Sequence, residues 1–226
     1  MRGPGTHRPS LALERRLAAS SQLRLAGLDE VGRGALAGPL VAAAVILPLE
    51  HRGLRRVLDG VRDSKQMTDG QRRRWADRLR QVALDHGLGL ATAAEVDAIG
   101  PLAGTLLAME RALEALSLHP GHLLLDHVAL PNVAVAQTSV THGDASVLSI
   151  ACASVLAKVW RDDLMLMYER TFPGYGFGHH KGYGTPEHLQ ALARLGPCPL
   201  HRLSFRATAA GTDAEWISAP ADASII

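Results

Sequence analysis

Four acidic residues stand where a folded chain would gather them. Asp29 and Glu30 end the apolar run 22–30, Asp126 ends the apolar run 122–126, and Asp144 opens a long helical pattern. Hard divalent cations choose carboxylate oxygens as ligands. Two such ions held together can activate a water and neutralise charge on a phosphoryl group, which is what hydrolysis of a phosphodiester needs. Each acid also has a plainer reading. Asp144 before a helix can be an N-cap, and Asp29 with Glu30 can simply end a strand and begin a turn. Adjacent strand residues face opposite ways, so Glu30 joins Asp29 only if the chain turns there, which Gly32 and Gly34 permit.

The elements that must position these acids follow from apolar periodicity. The runs 22–30 and 39–47 predict two neighbouring strands. Trp75, Leu79, Val82 and Ala83 have helical spacing and predict a helix over 71–86 with Gly87 as its stop. A strand over 89–94, a helix over 102–116, a buried strand over 122–126 and a short strand within 133–140 come next. No proline or glycine interrupts the chain between Asp144 and Pro173, which predicts a long helix through Lys158 and Arg161 toward Thr171. Five glycines within 174–184 predict a loop, and 187–195 a last helix. The sum is an α/β fold with a mixed central sheet flanked by helices and a helical C-terminal part. Tails are expected at 1–20 and 207–226 around one catalytic domain at 21–206.

Composition narrows the class. With 47% hydrophobic and 20% charged residues the chain reads as a folded soluble protein, and a net charge of +2 means that a nucleic-acid partner must be held by a local basic face. Cys152 and Cys198 form no C-x-x-C pair and no zinc-ligand spacing, so a reducing cytoplasm fits. Glu14, Arg15 and Arg16 interrupt the only apolar stretch near the start, so no secretory signal is expected. The longest apolar run, 35–49, is broken by Gly38, Pro39 and Pro48. It falls short of the roughly 18 residues of a membrane span, so no membrane association is expected. Gly32, Gly34 and Gly38 form a loose dinucleotide fingerprint, but the run 41–46 looks extended where that motif needs a helix. The arginines at 72–74 read as a solvated helix face, and His179 with His180 as a solvated loop.

The same residues resemble a known family. Asp29-Glu30-Val31-Gly32-Arg33-Gly34, followed by 38–45, is similar to the opening of ribonuclease HII. The resemblance continues in order through Asp63-Ser64-Lys65, Leu123-Leu124-Leu125-Asp126, Gly143-Asp144 with 149–158, and Arg161-Asp162. It then takes in Tyr175-Gly176-Phe177, the segment 180–185, His201-Arg202 and Ser204-Phe205, and so covers about 24–206. This implies a ribonuclease H-like fold and endonucleolytic cleavage of RNA in RNA–DNA hybrids. It also implies cutting on the 5′ side of single ribonucleotides embedded in duplex DNA, with 3′-hydroxyl and 5′-phosphate ends. Two Mg²⁺ or Mn²⁺ ions per site and a monomeric enzyme are implied as well.

By matching position, the resemblance makes Asp29, Glu30, Asp126 and Asp144 the catalytic, metal-binding acids. Gly32, Arg33, Gly34, Lys65 and Tyr183 become the substrate contacts. That agrees with chemistry, since a glycine turn lets backbone approach a sugar and the 2′-hydroxyl is what separates RNA from DNA. Tyr183 could instead plug a glycine-rich loop, and Lys65, Lys158 and Lys181 suit phosphate contacts. The chain departs from the family pattern at His127, commonly glycine, at His142, commonly lysine, and at Cys152, commonly alanine and here read as a small buried hydrophobe. Two rival functions are a catalytically dead hybrid-binding module, which would have lost acids, and a resolvase of branched DNA, which would have no use for a 2′-hydroxyl reader.

Overall fold

Every side chain in the run Leu40–Ile46 is apolar, and this run forms a strand, β2, whose residues are all buried. A strand that is apolar on both faces belongs inside a covered sheet. With β1 at Leu25–Val31, β3 at Asp85–Ala91, β4 at His122–Asp126 and β5 at Ala136–Val140, the order in the sheet is β3-β2-β1-β4-β5. β1 runs antiparallel to β2 and parallel to β4, and β4 runs parallel to β5, so the sheet is mixed. The computed structural model describes residues 8–21, 23–205 and 208.

The helices are α1 (Ala12–Ser21), α2 (Leu54–Val57), α3 (Asp69–Val82), α4 (Ala93–Glu114), α5 (Gly143–Ser146), α6 (Leu148–Thr171), α7 (Phe177–His180) and α8 (Pro186–Leu195). α3 starts from a reciprocal cap in which Gln71 N–H donates to Thr68 Oγ1 at 3.3 Å and Thr68 N–H donates to Gln71 Oε1 at 2.8 Å. It stops at Val82, and the expected stop Gly87 lies inside β3. Gly87 is needed there for close approach, because a Cβ would stand 2.0 Å from the Ala112 carbonyl oxygen of α4. α4 begins nine residues earlier than the predicted 102 and is interrupted at Gly100 (φ 82), just before Pro101. The helix expected to open at Asp144 is two pieces, parted at the extended residue Val147 (φ −113, ψ 122).

The segment 1–20, expected as a tail, contains α1. Its Leu13 and Leu17 pack against the buried cluster of Leu124, Val147 and Ile150, and Leu11 just before the helix is itself buried. Of the expected tail 207–226 only Thr208 falls within the described residues. The chain divides into two compact units. The first comprises the chain up to Val31 with Val41–Leu90 and Thr105–Trp160, and the second comprises Gly32–Leu40, Ala91–Gly104 and the chain from Arg161 onward. Phe177, Met165, Tyr175 and Cys198 centre the core of the second unit. Among the described residues no helix is long and apolar enough to cross a membrane.

Candidate active site

Three of the four expected acids meet at one end of the sheet because of strand register. The parallel pairing of β1 with β4 runs from Leu25↔His122 to Leu28↔Leu125. One further step in that register sets Asp29 beside Asp126, on the same face of neighbouring strands. Asp126 Oδ1 then accepts the Gly143 N–H at 2.7 Å, which ties the first residue of α5 to the end of β4 and brings in Asp144. Asp29 is only 5% exposed and Asp144 6%.

The electrostatics record this gathering. Burial holds the Asp29 carboxyl well above the ordinary aspartate range, the negative charges of Glu30, Asp126 and Asp144 push it further, and a hydrogen bond from Ser154 works against them. Burial also raises Asp126, opposed by the Gly143 N–H and assisted by Asp144. Lys65 Nζ stands 3.3 Å from Asp144 Oδ2. Burial works against the lysine's charge, but Asp144 and Asp63 more than offset it and raise its pKa.

Glu30 is placed differently. β1 keeps regular pairing with β2 through Asp29↔Ala43, Glu30↔Ala42 and Val31↔Val41, and the chain turns only at Gly32 (φ 88). The pleat therefore directs Glu30 to the other face from Asp29. It remains the strongest of the charges acting on Asp29.

Three supporting residues were not legible as such. Ser154, a lone hydroxyl in the apolar stretch 150–157 of α6, bonds Asp29 and shares a 2.8 Å hydrogen bond with Ser64 Oγ. Arg72, expected on a solvated face, donates to the Ser64 carbonyl at 3.0 Å and to the Met67 carbonyl, bracing the turn that carries Lys65. Gly27 lets α6 lie directly on β1, since a Cβ there would stand 2.3 Å from the Ser149 carbonyl carbon. His127 and His142 both adopt left-handed backbone, with φ of 58 and 55, a conformation that glycine takes without strain.

Among the described residues, no three His, Cys, Asp or Glu side chains close around one point as they stand. The donor set still fits a hard divalent cation in its chemistry. Asp29, Asp126 and Asp144 offer oxygen alone; burial first, and then the negative charges of Glu30, Asp126 and Asp144, raise the Asp29 pKa, and a bound cation would relieve that charge repulsion.

The second unit holds the other expected contacts. Gly32 leaves room for Arg161, whose Nε would stand 2.2 Å from a Cβ there. Arg161 is fully buried and donates to the carbonyls of Pro39 at 2.9 Å, Lys181 at 2.8 Å and Ala37 at 3.1 Å. Arg202, equally buried, donates to Gly38 at 3.0 Å and Arg33 at 2.9 Å. Burial lowers the pKa of both, that of Arg202 to about 10, which leaves it charged at neutral pH. Two guanidiniums thus hold the backbone of 33–39, and that of Arg161 also stands 5.4 Å from the Tyr183 ring centroid. Arg33 and Gly34 are exposed. A Cβ at Gly34 would meet no described atom within 4 Å, so packing does not require glycine there. His180, expected to be solvated with its neighbour, is buried, while His179 is exposed and bonds Glu187 at 2.7 Å.

Comparisons with known proteins identify the family and the fold. A family model described as Ribonuclease HII matches residues 26–208. The chain is 52% identical over 197 residues to Ribonuclease HII of Synechococcus sp., covering 87% of this chain and 88% of that protein. It is 50% identical over 196 residues to Ribonuclease HII of Syntrophotalea carbinolica, covering 87% and 91%. Ribonuclease H2 from Pyrococcus horikoshii shares the fold, with a TM-score of 0.70 at 24% identity over 84% of this chain and 97% of that one. So does Bst-RNase HIII in complex with Mn²⁺, with a TM-score of 0.67 at 20% identity over 95% and 77%. The mixed sheet with its flanking helices is a ribonuclease H-like fold, and the chain belongs to the ribonuclease HII family of endonucleases.

Proposed function

We propose that this chain hydrolyses the RNA strand of RNA–DNA hybrids and cuts on the 5′ side of single ribonucleotides embedded in duplex DNA, leaving 3′-hydroxyl and 5′-phosphate ends. The observation that carries the reading is the register of β1 and β4, which sets Asp29 beside Asp126 while the Gly143–Asp126 hydrogen bond delivers Asp144. Asp29, Asp126 and Asp144 would hold two Mg²⁺ or Mn²⁺ ions, and Glu30, on the other face of the strand, would act with them through its charge on Asp29. Such ions, when bound, supply an activated water and neutralise charge on the phosphoryl and leaving oxygens.

The chain's own residues do the rest. Ser154 fixes the Asp29 carboxyl. Lys65, with 79% of its side chain exposed, presents an ammonium beside Asp144 that can meet a phosphate oxygen. Gly32 follows Glu30 by two residues in the chain, so the turn that would meet a ribose is continuous with the acidic strand end. The open space at Gly34 supports close approach of a sugar to backbone, and the Tyr183 ring, faced by the Arg161 guanidinium, would grip the nucleotide that bears the 2′-hydroxyl.

The test is cleavage of all-DNA, hybrid and single-ribonucleotide duplexes by the wild type and by Asp126→Asn. The wild type should cut the last two, with products mapping to the 5′ side of the ribonucleotide. Asp126→Asn should lose more than about 100-fold in kcat/KM, the upper range for residues that only support a metal ligand, while its thermal transition stays equal or rises through relief of repulsion. Near-wild-type turnover by Asp126→Asn in Mg²⁺ overturns the reading.

A further inference from the structure

Three imidazoles lie buried behind the loop that carries Tyr183, and the chemistry proposed above uses none of them. His180 is 7% exposed, His188 0% and His201 2%. A buried imidazole has two ring nitrogens to satisfy, and the partners settle which of them carries the proton. His188 Nδ1 faces the Tyr183 carbonyl oxygen at 3.0 Å, which can only accept. The His188 proton is therefore on Nδ1, and its Nε2 is an acceptor. His201 Nε2, 3.1 Å away, must be the donor to it. That leaves His201 Nδ1 to accept, and the Cys198 N–H supplies it a hydrogen at 2.9 Å. His180 is oriented just as firmly, since its Nε2–H donates to the Tyr175 carbonyl at 2.7 Å and its Nδ1 accepts the Gly182 N–H at 3.1 Å.

The result is a hydrogen-bond chain with one direction, from Cys198 N–H through His201 and His188 to the Tyr183 carbonyl. It needs every ring neutral, and burial keeps His188 low and pushes His201 down to about 4. The His180 and His188 rings also stack, 4.2 Å between centroids at an interplanar angle of 15°. On the other side of the loop the Gly182 carbonyl accepts from Leu36 N–H at 2.8 Å and Ala37 N–H at 3.2 Å. Residues 182 and 183 are thus held from the histidine side and from Leu36 and Ala37 at once.

We propose that His188 and His201 are positioning residues, whose ordered hydrogen bonds fix the Tyr183 backbone so that its ring and the Gly32–Gly34 turn read one ribonucleotide together. This rests on the assignment of Tyr183 to substrate reading made above. A side chain that only filled space would leave the Cys198 N–H without this acceptor and the Tyr183 carbonyl with the Thr185 N–H at 2.8 Å, so the imidazoles order this backbone as well as fill the core. A donor of fixed direction also fixes where the Tyr183 carbonyl sits, which is what a reading loop needs.

The experiment compares His188→Leu, which fills the volume without a donor, with His188→Asn, whose amide nitrogen can replace Nδ1. His201→Gln, whose amide nitrogen can replace Nε2, is the second conservative variant. Two readouts are taken on the full-length protein: hydrogen exchange across 182–184, and the ratio of kcat/KM on a single-ribonucleotide duplex to that on a long hybrid. His188→Leu should speed exchange and lower the ratio by about 10- to 100-fold, as expected for a displaced substrate-positioning group. His188→Asn and His201→Gln should recover most of both. In a Tyr183→Ala background, His188→Leu should lower the ratio no further. Unchanged exchange in His188→Leu, or equal losses on both substrates, overturns the proposal. If Tyr183→Ala itself leaves the ratio unchanged while His188→Leu still speeds exchange, the anchoring stands and the reading of Tyr183 fails.

Discussion

His127 holds a left-handed backbone conformation (φ 58) one residue beyond Asp126. Histidine tolerates that region better than most residues, yet a side chain there still costs about 1 kcal/mol relative to glycine. His127 is thus a small strain beside an acid, with no loss of a carboxylate. His127→Gly should raise stability by at most about 1 kcal/mol, less what the freer unfolded chain takes back. Guanidinium melts measure this, and a clear fall in the midpoint would show that the imidazole makes contacts worth more than the strain. The acids themselves were readable because each ends an apolar run or opens a helical one. Ser154 was not, because its partner Ser64 lies 90 positions away and a serine within a helix has many uses. The direction of Glu30 depended on where the chain turned, and only strand pairing decides that.

α1 shows what the sequence hides at the level of an element. The mixture of Pro, Gly, Arg and Ser before residue 20 reads as a tail, and Glu14 only as a charge that interrupts an apolar stretch. Glu14 is instead fully buried, and its Oε1 accepts the Ser149 N–H, in the first turn of α6, at 2.9 Å across 135 positions. Among the described residues its Oε2 and the Ser149 hydroxyl make no hydrogen bond of normal geometry, although the hydroxyl stands near enough to Glu14 to favour its charged form. A negative charge suits a helix N-terminus, but burial dominates and raises the Glu14 pKa above 4.5. A carboxyl whose pKa is higher folded than unfolded stabilises the fold below the unfolded value, and that contribution is lost as pH rises through the folded value. Glu14→Gln keeps the acceptor for Ser149 N–H and can give the Ser149 hydroxyl a donor. The variant should therefore melt higher than wild type at pH 8, with the difference shrinking toward pH 4. A lower melting temperature at pH 8 would mean that the carboxylate's attraction to the helix end outweighs its burial. The strands β2 and β4 needed no such distant partner, which is why their apolar runs predicted them closely.

At the scale of the whole molecule the formal charge is only +2, so affinity for a duplex must come from local cations such as the exposed ammonium of Lys65. Hybrid affinity, measured in Ca²⁺ to suppress turnover, should fall steeply with salt, by about 0.9 in log–log slope for each phosphate neutralised. Lys65→Ala should reduce that slope by about one. Affinity indifferent to salt would mean that the basic contacts do not bind the backbone. Composition and periodicity conveyed the fold class, but the division into two compact units was not legible, because each is assembled from separated stretches of chain. The chain passes between them at 31/32, 40/41, 90/91, 104/105 and 160/161. A recombination breakpoint placed anywhere from 33 to 159 would leave pieces of both units on either side of the cut. A breakpoint after 160, by contrast, would exchange the tyrosine loop without cutting the first unit, which carries all four acids.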